Sequence, residues 1–321
     1  MSAINQHPAA IDRAGELRTS AESLEQLWQN AEIIQITAGR IRTHRSQSPT
    51  DPETISYLHA SQVATLISPE QFKEGSRYFL GFDIETRNPY FAWDTSWSQE
   101  QSEEVLNDGF STARELSSSL GLQELELALH ATALSNWHKA HPRCPRCGGP
   151  TRVDLGGAAR YCEADQSQHH PRTDAAVIVL VRDNQDRILL GHNPNWPEGR
   201  FSTFAGFLEP GETFEHCVAR EVFEEAGVEL SEISYLGSQP WPFPASVMIA
   251  FSAVTDAPGD ARPDGEEITE VQWFSRQELK AAAEDGSLLL PPKVSVARRM
   301  IEGWLGETEL DSSKLAGETW R

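Results

Sequence analysis

The stretch GFLEPGETFEHCVAREVFEEAGV, residues 206–228, sets six glutamates into what otherwise reads as a loop, an amphipathic helix and a terminating glycine. At about 100° per residue, Glu224 and Glu225 fall about 60° to one side and 40° to the other side of Glu221. Three carboxylates therefore share one arc. Val218, Ala219, Val222 and Ala226 occupy the adjoining arc, which is the face a helix buries. Carboxylates crowded at the edge of a core repel one another, and partial burial raises their pKa values. Arg220 can pair with Glu224 one turn on but cannot neutralise the group, whereas divalent cations that prefer oxygen ligands can. The alternative is a solvated acidic face. Gly206 and Gly211 are expected to give a tight backbone approach with positive φ, and Gly227 suits the position just past the helix end. Glu212 is a further ligand or orienting group, while Glu209 and Glu215 face water.

At 321 residues the chain is long enough for two domains. It has no apolar run of about eighteen residues, and MSAINQHPAAIDRAGELRTS lacks a basic region followed by an apolar one, so a cytoplasmic location is expected. A formal net charge of −21 disfavours non-specific binding to a phosphate backbone. It leaves room for a small anionic ligand that arrives with metal ions. Of the four cysteines, Cys144, Cys147 and Cys162 lie within nineteen residues, which in a reducing compartment points to metal rather than a disulfide. Cys217 stands alone in the glutamate stretch.

Strand-like runs such as AEIIQI (31–36) and SRYFLGFDIE (76–85) give a β-rich N-terminal domain. QELELALHATALSNWHK (123–139) has a helical pattern and leads into the cysteines. From Thr173, DAAVIVLVRDNQDRILLGHN reads as a strand hairpin. FSTFAGF, SVMIAFSAV and TEVQWFS supply further strands, and 213–226, RQELKAAAEDG and SVARRMIEGWLGE read as helices. That mixture suggests α/β layers. The expected division is an N-terminal domain at 1–140, a zinc-ribbon-like segment at 141–172, an α/β domain at 173–306 and a polar tail at 307–321.

The glutamate stretch matches G-x5-E-x7-R-E-U-x-E-E-x-G-U, with U aliphatic, through Gly206, Glu212, Arg220, Glu221, Val222, Glu224, Glu225, Gly227 and Val228. By this pattern the chain resembles a Nudix hydrolase. The resemblance implies an α/β/α sandwich with a mixed sheet, and Mg²⁺ or Mn²⁺ held by Glu221, Glu224 and Glu225. It also implies cleavage of a nucleoside diphosphate linked to another moiety.

Ten residues on, SQPWPFPAS (238–246) spaces three prolines at alternate positions, which cannot join a regular ladder and leave Trp241 and Phe243 as flat surfaces. It resembles the SQPWPFPxS signature of NADH pyrophosphatases, the NudC type of Nudix hydrolase. That likeness implies substrate contacts from Gln239, Pro240, Trp241, Pro242, Phe243, Pro244, Ala245 and Ser246, base stacking by Phe207, and metal binding by the backbone of Ala205 and by Glu267, with Glu270 close by. Through VARR (296–299) it implies a contact from Ala297, and another from Arg114. The family usually has a tyrosine before the proline that follows its ribbon, and His170 stands there before Pro171.

CPRCGG (144–149) is a zinc-knuckle pattern, C-x2-C followed by glycine. The second C-x2-C is replaced by CEAD, so Cys144, Cys147 and Cys162 are joined either by Asp165 or by a histidine. Histidine suits zinc better than carboxylate, which favours His169, since His170 occupies the stacking position. The site is expected to be structural.

The function implied by these resemblances is metal-dependent hydrolysis of NAD(H) to nicotinamide mononucleotide and AMP, with removal of 5′ NAD caps from RNA, in a homodimer with no membrane association. A Nudix enzyme preferring ADP-ribose or dinucleoside polyphosphates is one alternative, and a non-catalytic nucleotide-sensing module is another. Glu224, Glu225, Glu267 and Glu270 are all placed where a general base could act.

Overall fold

The computed structural model describes residues 8–44, 53–68, 72–73, 75–97 and 109–306; the tail expected from residue 307 lies outside them. Among the described residues two compact units emerge, one of those up to Thr173 with Pro242–Ala245, the other of Asp174–Trp241 with those from Ser246 to Gly306. No described helix is long and apolar enough to cross a membrane.

In the first unit the described residues form an eight-stranded sheet. Its central strands, Glu32–Thr37 and Pro89–Asp94, pair in parallel, and each alternates its side chains between two apolar faces. Ile34 and Ile36 share a core with Leu127, Ala131 and Leu134 of the long helix Leu122–Ala140. Ile33 and Phe91 pack on the opposite face with Trp28, which ends the helix Ala21–Trp28.

Polar groups are buried inside this unit as well, and two sets of them are joined by hydrogen bonds, as burial favours. Asp94 accepts hydrogen bonds from Tyr78 Oη (3.1 Å) and Ser135 Oγ (2.7 Å). The buried His138 ring stacks on Tyr78. Its Nε2 lies 2.8 Å from the carbonyl of Gly157, and Arg160 Nη1 approaches its Nδ1 at 3.2 Å. Burial, the largest influence, holds His138 down at about 4, so the ring is neutral and donates from Nε2. Arg160 also donates to Thr151 O (2.7 Å). Through it the long helix is tied to the small three-stranded sheet of Thr151–Asp154, Ala159–Cys162 and Gln168–His169, which carries the cysteines.

The second unit is built on a mixed six-stranded sheet. Asp174–Asp183 runs parallel to Ser246–Thr255 and antiparallel to Phe204–Phe207. Strict alternation along the first of these strands explains the layers. Val177, Val179 and Val181 pack with Val218 and Val222 of the helix Phe214–Ala226. Ile178 and Leu180 pack with Leu279 of Arg276–Asp285 and with Met300, Ile301 and Trp304 of Val296–Leu305. Helices thus cover both faces of the sheet, giving the α/β/α sandwich.

Candidate active site

The glutamate helix begins at Thr213, whose hydroxyl accepts from His216 N at 3.2 Å, and ends at Gly227, which has φ +70°. Both ends are therefore capped by local chemistry. Val218, Val222 and Ala226 are fully buried on the sheet. Glu221 is consequently held against the strand Phe204–Phe207, where it meets Gly206.

Arg220 organises the outer part of the cluster. Its Nε donates to Glu212 Oε1 (2.8 Å) and its Nη1 to Glu221 Oε1 (2.7 Å) and Glu224 Oε2 (3.1 Å). Its Nη2 donates to Phe207 O at 3.1 Å. The guanidinium brings the Glu212 carboxyl down to about 2. Glu212 is thus a fixed anion that positions Arg220. A Cβ added at Gly206 would fall on the Glu221 carboxyl group. The glycine is required by this close approach and not by positive φ, which among the loop glycines belongs to Gly211 (φ +89°).

Glu225 differs from its neighbours. Only 5% exposed, it has an Oε2 with no hydrogen-bond partner. Burial first, then the charges of Glu267 and Glu221, push its carboxyl up to about 8, while the backbone N–H of Ala205 acts in the opposite sense. Burial also raises Glu221. A buried, partnerless carboxylate oxygen under the charge of two further carboxylates is a donor set suited to a hard divalent cation. The glutamates are not fully gathered, however. Among the described residues, only Cys144, Cys147, Cys162 and Asp165 place all their donor atoms within 4.8 Å of one another.

Glu270 stands apart from this group. It pairs with His192 across the strand Glu270–Phe274. Two-residue periodicity puts it on the face of Phe274, which packs with the C-terminal helices on the side away from the glutamate helix. Register therefore separates it from Glu225, which proximity in sequence had not indicated.

Residues 238–246 fall on two strands and their connection. Pro240 does join a ladder, opposite Val247, because Glu232–Trp241 is an edge strand that can tolerate a missing donor. Gln239 is committed to the protein: Nε2 donates to Val294 O (2.8 Å), and Oε1 accepts from Val296 N (2.7 Å). Its amide anchors the start of the last helix. The Ala297 side chain is likewise buried, at 3% exposure. In the first unit, Asn136 Nδ2 donates to Pro242 O at 2.9 Å, and the Arg114 guanidinium stands 4.8 Å from the centre of the Phe243 ring. Trp241, Pro244, Ala245 and Ser246 are partly or fully exposed, and so is His170. Phe207 is 60% exposed, a ring free to stack.

In the ribbon, Cys147 Sγ and Cys162 Sγ are 3.5 Å apart, and Asp165 Oδ2 lies 3.4 Å from Cys144 Sγ. Of the two candidates for fourth donor, this geometry favours Asp165. His169 Nε2 is 3.3 Å from Cys144 Sγ and 2.9 Å from Ser167 Oγ, beside the cluster but outside it, because the short turn after Cys162 brings Asp165 in first. Burial would raise the Cys144 thiol, but backbone N–H groups of Cys147 and Arg146 bring it down to about 6. Three thiols and one carboxylate form a donor set that fits zinc.

Sequence reasoning passed over Asp264, whose carboxylate accepts backbone N–H bonds from Glu266, Glu267 and Ile268. The Asp-Gly dipeptide at 264–265 was the available signal, since Asp readily caps its own turn.

Residues 171–291 match the family described as "NUDIX domain", and residues 139–169 match "NADH pyrophosphatase zinc ribbon domain". The NAD-capped RNA hydrolase NudC of Mycobacterium bovis (strain BCG / Pasteur 1173P2) is 43% identical over 187 residues, covering 56% of this chain and 60% of that protein. That of Stutzerimonas stutzeri (strain A1501) is 42% identical over 176 residues, covering 55% and 60%. The matches therefore span about three fifths of the length of these curated relatives. A solved Nudix hydrolase from Nitrosomonas europaea covers 42% of this chain and 78% of its own at 27% identity, with a TM-score of 0.36.

Two outcomes are expected. Asp165→Ala should lose bound zinc while His169→Ala keeps it, as read by metal analysis of the purified variants; the reverse pattern would make His169 the ligand. Without added Mg²⁺ or Mn²⁺, the neutral form of Glu225 stabilises the fold. That contribution is complete below a pH of about 4.5 and is lost as pH rises through about 8. Glu225→Gln, whose amide stays neutral, should therefore unfold at a higher temperature than wild type at pH 8 and at a similar one at pH 4.5. Equal melting temperatures at both pH values would show that Glu225 is not held neutral.

Proposed function

We propose that this chain, whose residues 171–291 match the NUDIX domain, is a Nudix hydrolase that cleaves the pyrophosphate bond of NAD(H) to nicotinamide mononucleotide and AMP. We propose the same chemistry at 5′ NAD caps of RNA, in a cytoplasmic homodimer. The observation that carries this reading is the buried Glu225 carboxylate, with one partnerless oxygen and under the charges of Glu267 and Glu221, on a helix whose sequence matches the Nudix box without a break. The pyrophosphate of NAD is favoured by the SQPWPFPAS segment, by the ribbon and by the names of the relatives.

In this reading Glu221, Glu225 and Glu267, with Glu224 and the backbone of Ala205, would hold Mg²⁺ or Mn²⁺. When bound, such an ion would supply charge compensation for the pyrophosphate and a lowered pKa for attacking water. The chain's own residues position the reactants. Arg220, locked by Glu212, fixes the carbonyl of Phe207, whose exposed ring is free to stack on a base. Gln239 holds the loop before the last helix in place. Arg114 and Phe243 form a cation–π pair within the first unit.

A second reading, preference for ADP-ribose, is favoured by the exposed His170 where the family's tyrosine would stand, since histidine offers a weaker stacking surface for nicotinamide. The net charge of −21 weakens a long RNA contact but not entry of a 5′ end.

With Mn²⁺, the purified protein should release AMP from NADH faster than it releases AMP from ADP-ribose. Glu225→Gln should cut turnover by more than about a hundredfold, since even indirect changes around a metal cost about 10–100-fold. Absence of turnover on NADH, NAD and NAD-capped RNA would overturn the proposal, and faster cleavage of ADP-ribose would establish the second reading.

A further inference from the structure

We propose that Asp264 is a positioning residue for the divalent-cation site, acting through Glu267; this rests on the reading of Glu267 as a cation ligand given above. Asp264 lies in the loop before the strand Glu270–Phe274. Its Oδ1 accepts from the backbone N–H groups of Glu266 (2.9 Å), Glu267 (3.1 Å) and Ile268 (2.8 Å), and its Oδ2 lies 3.3 Å from Glu267 N. One carboxylate thus gathers three successive amides. Gly265, at φ +84°, turns the chain so that its own N–H reaches Ile268 O at 2.9 Å.

The far side of the loop is equally fixed. Ile268 is buried in the core shared with Phe204 and Val222. Thr269 N donates to His192 O at 2.9 Å. Glu267 therefore stands on backbone pinned before and after it, and its side chain remains available. Glu225 supplies the independent sign of a ligand: it is 5% exposed, and its Oε2 has no partner. Glu267 is near enough that its charge acts on both Glu225 and Glu221. Without the Asp264 cap, the amides of 266–268 would turn to water, and Glu267 would sample positions away from Glu225. A ligand that must be ordered on binding gives a weaker site. Groups that orient ligands typically change metal affinity by about 10–100-fold.

The test is a double-mutant cycle on the full chain, with Mn²⁺ alone as the probe and free Mn²⁺ measured by electron paramagnetic resonance. Asp264→Ala should weaken Mn²⁺ binding about 10–100-fold, whereas Asp264→Asn, which keeps the Oδ1 acceptor, should stay near wild type. In a Glu267→Gln background Asp264→Ala should add almost nothing, because it acts through the side chain already removed. Wild-type binding by Asp264→Ala, additive losses in the cycle, or unchanged affinity in Glu267→Gln would each overturn the proposal. If Asp264→Ala does not fold, Asp264→Leu, which keeps the bulk of the side chain but has no acceptor, decides on the same criteria. Since no substrate enters the measurement, failure to cleave NADH would overturn the proposed function separately.

Discussion

The architecture of the second unit turns on a carboxylate placed where water cannot solvate it. Glu225 sits one helical turn from Glu221 on a helix whose apolar side, Val218, Val222 and Ala226, is sealed against the sheet. The burial that stabilises the helix is what draws Glu225 out of water. Desolvation and two neighbouring anions then make its charged form costly. Arg220 offsets the outer carboxylates, bridging Glu212, Glu221 and Glu224, and gives Glu225 nothing. One position in the cluster is therefore left for a cation, and the surrounding backbone is shaped to it, with Gly206 yielding its side-chain space to Glu221.

The same economy of buried polar groups governs the first unit at a structural site. Asp94, Tyr78 and Ser135 form one satisfied set, and His138 with Arg160 forms another, reaching the strands that hold the cysteines. There the donors converge tightly, in contrast to the glutamates. A structural zinc site is completed by residues of one short hairpin. The glutamate site draws on a helix, a strand edge and a distant loop.

This contrast explains what could be read without coordinates. The helix Phe214–Ala226, its caps and the shared arc of Glu221, Glu224 and Glu225 follow from 3.6-residue periodicity, and the alternation of Val177 to Val181 gives the two-sided sheet. Local chemistry sets both. The fate of Gln239 was hidden because its partners, Val294 and Val296, are more than fifty residues away. Glu270 was hidden because a strand's register, invisible in composition, decides which face each residue takes. Asp165 is favoured over His169 by the geometry of one tight turn, where ligand preference alone favours the imidazole. Asp264 was legible only as a turn, through its Asp-Gly dipeptide; that the turn carries Glu267 toward the glutamate helix depends on the fold.

The central claim is that the partnerless Glu225 oxygen, with Glu221 and Glu267, marks a cation site. Anomalous diffraction from crystals grown with Mn²⁺ tests it most directly. The account predicts a strong peak bounded by these three carboxylates. A map in which Mn²⁺ at saturating concentration leaves Glu225 without a metal contact would contradict it.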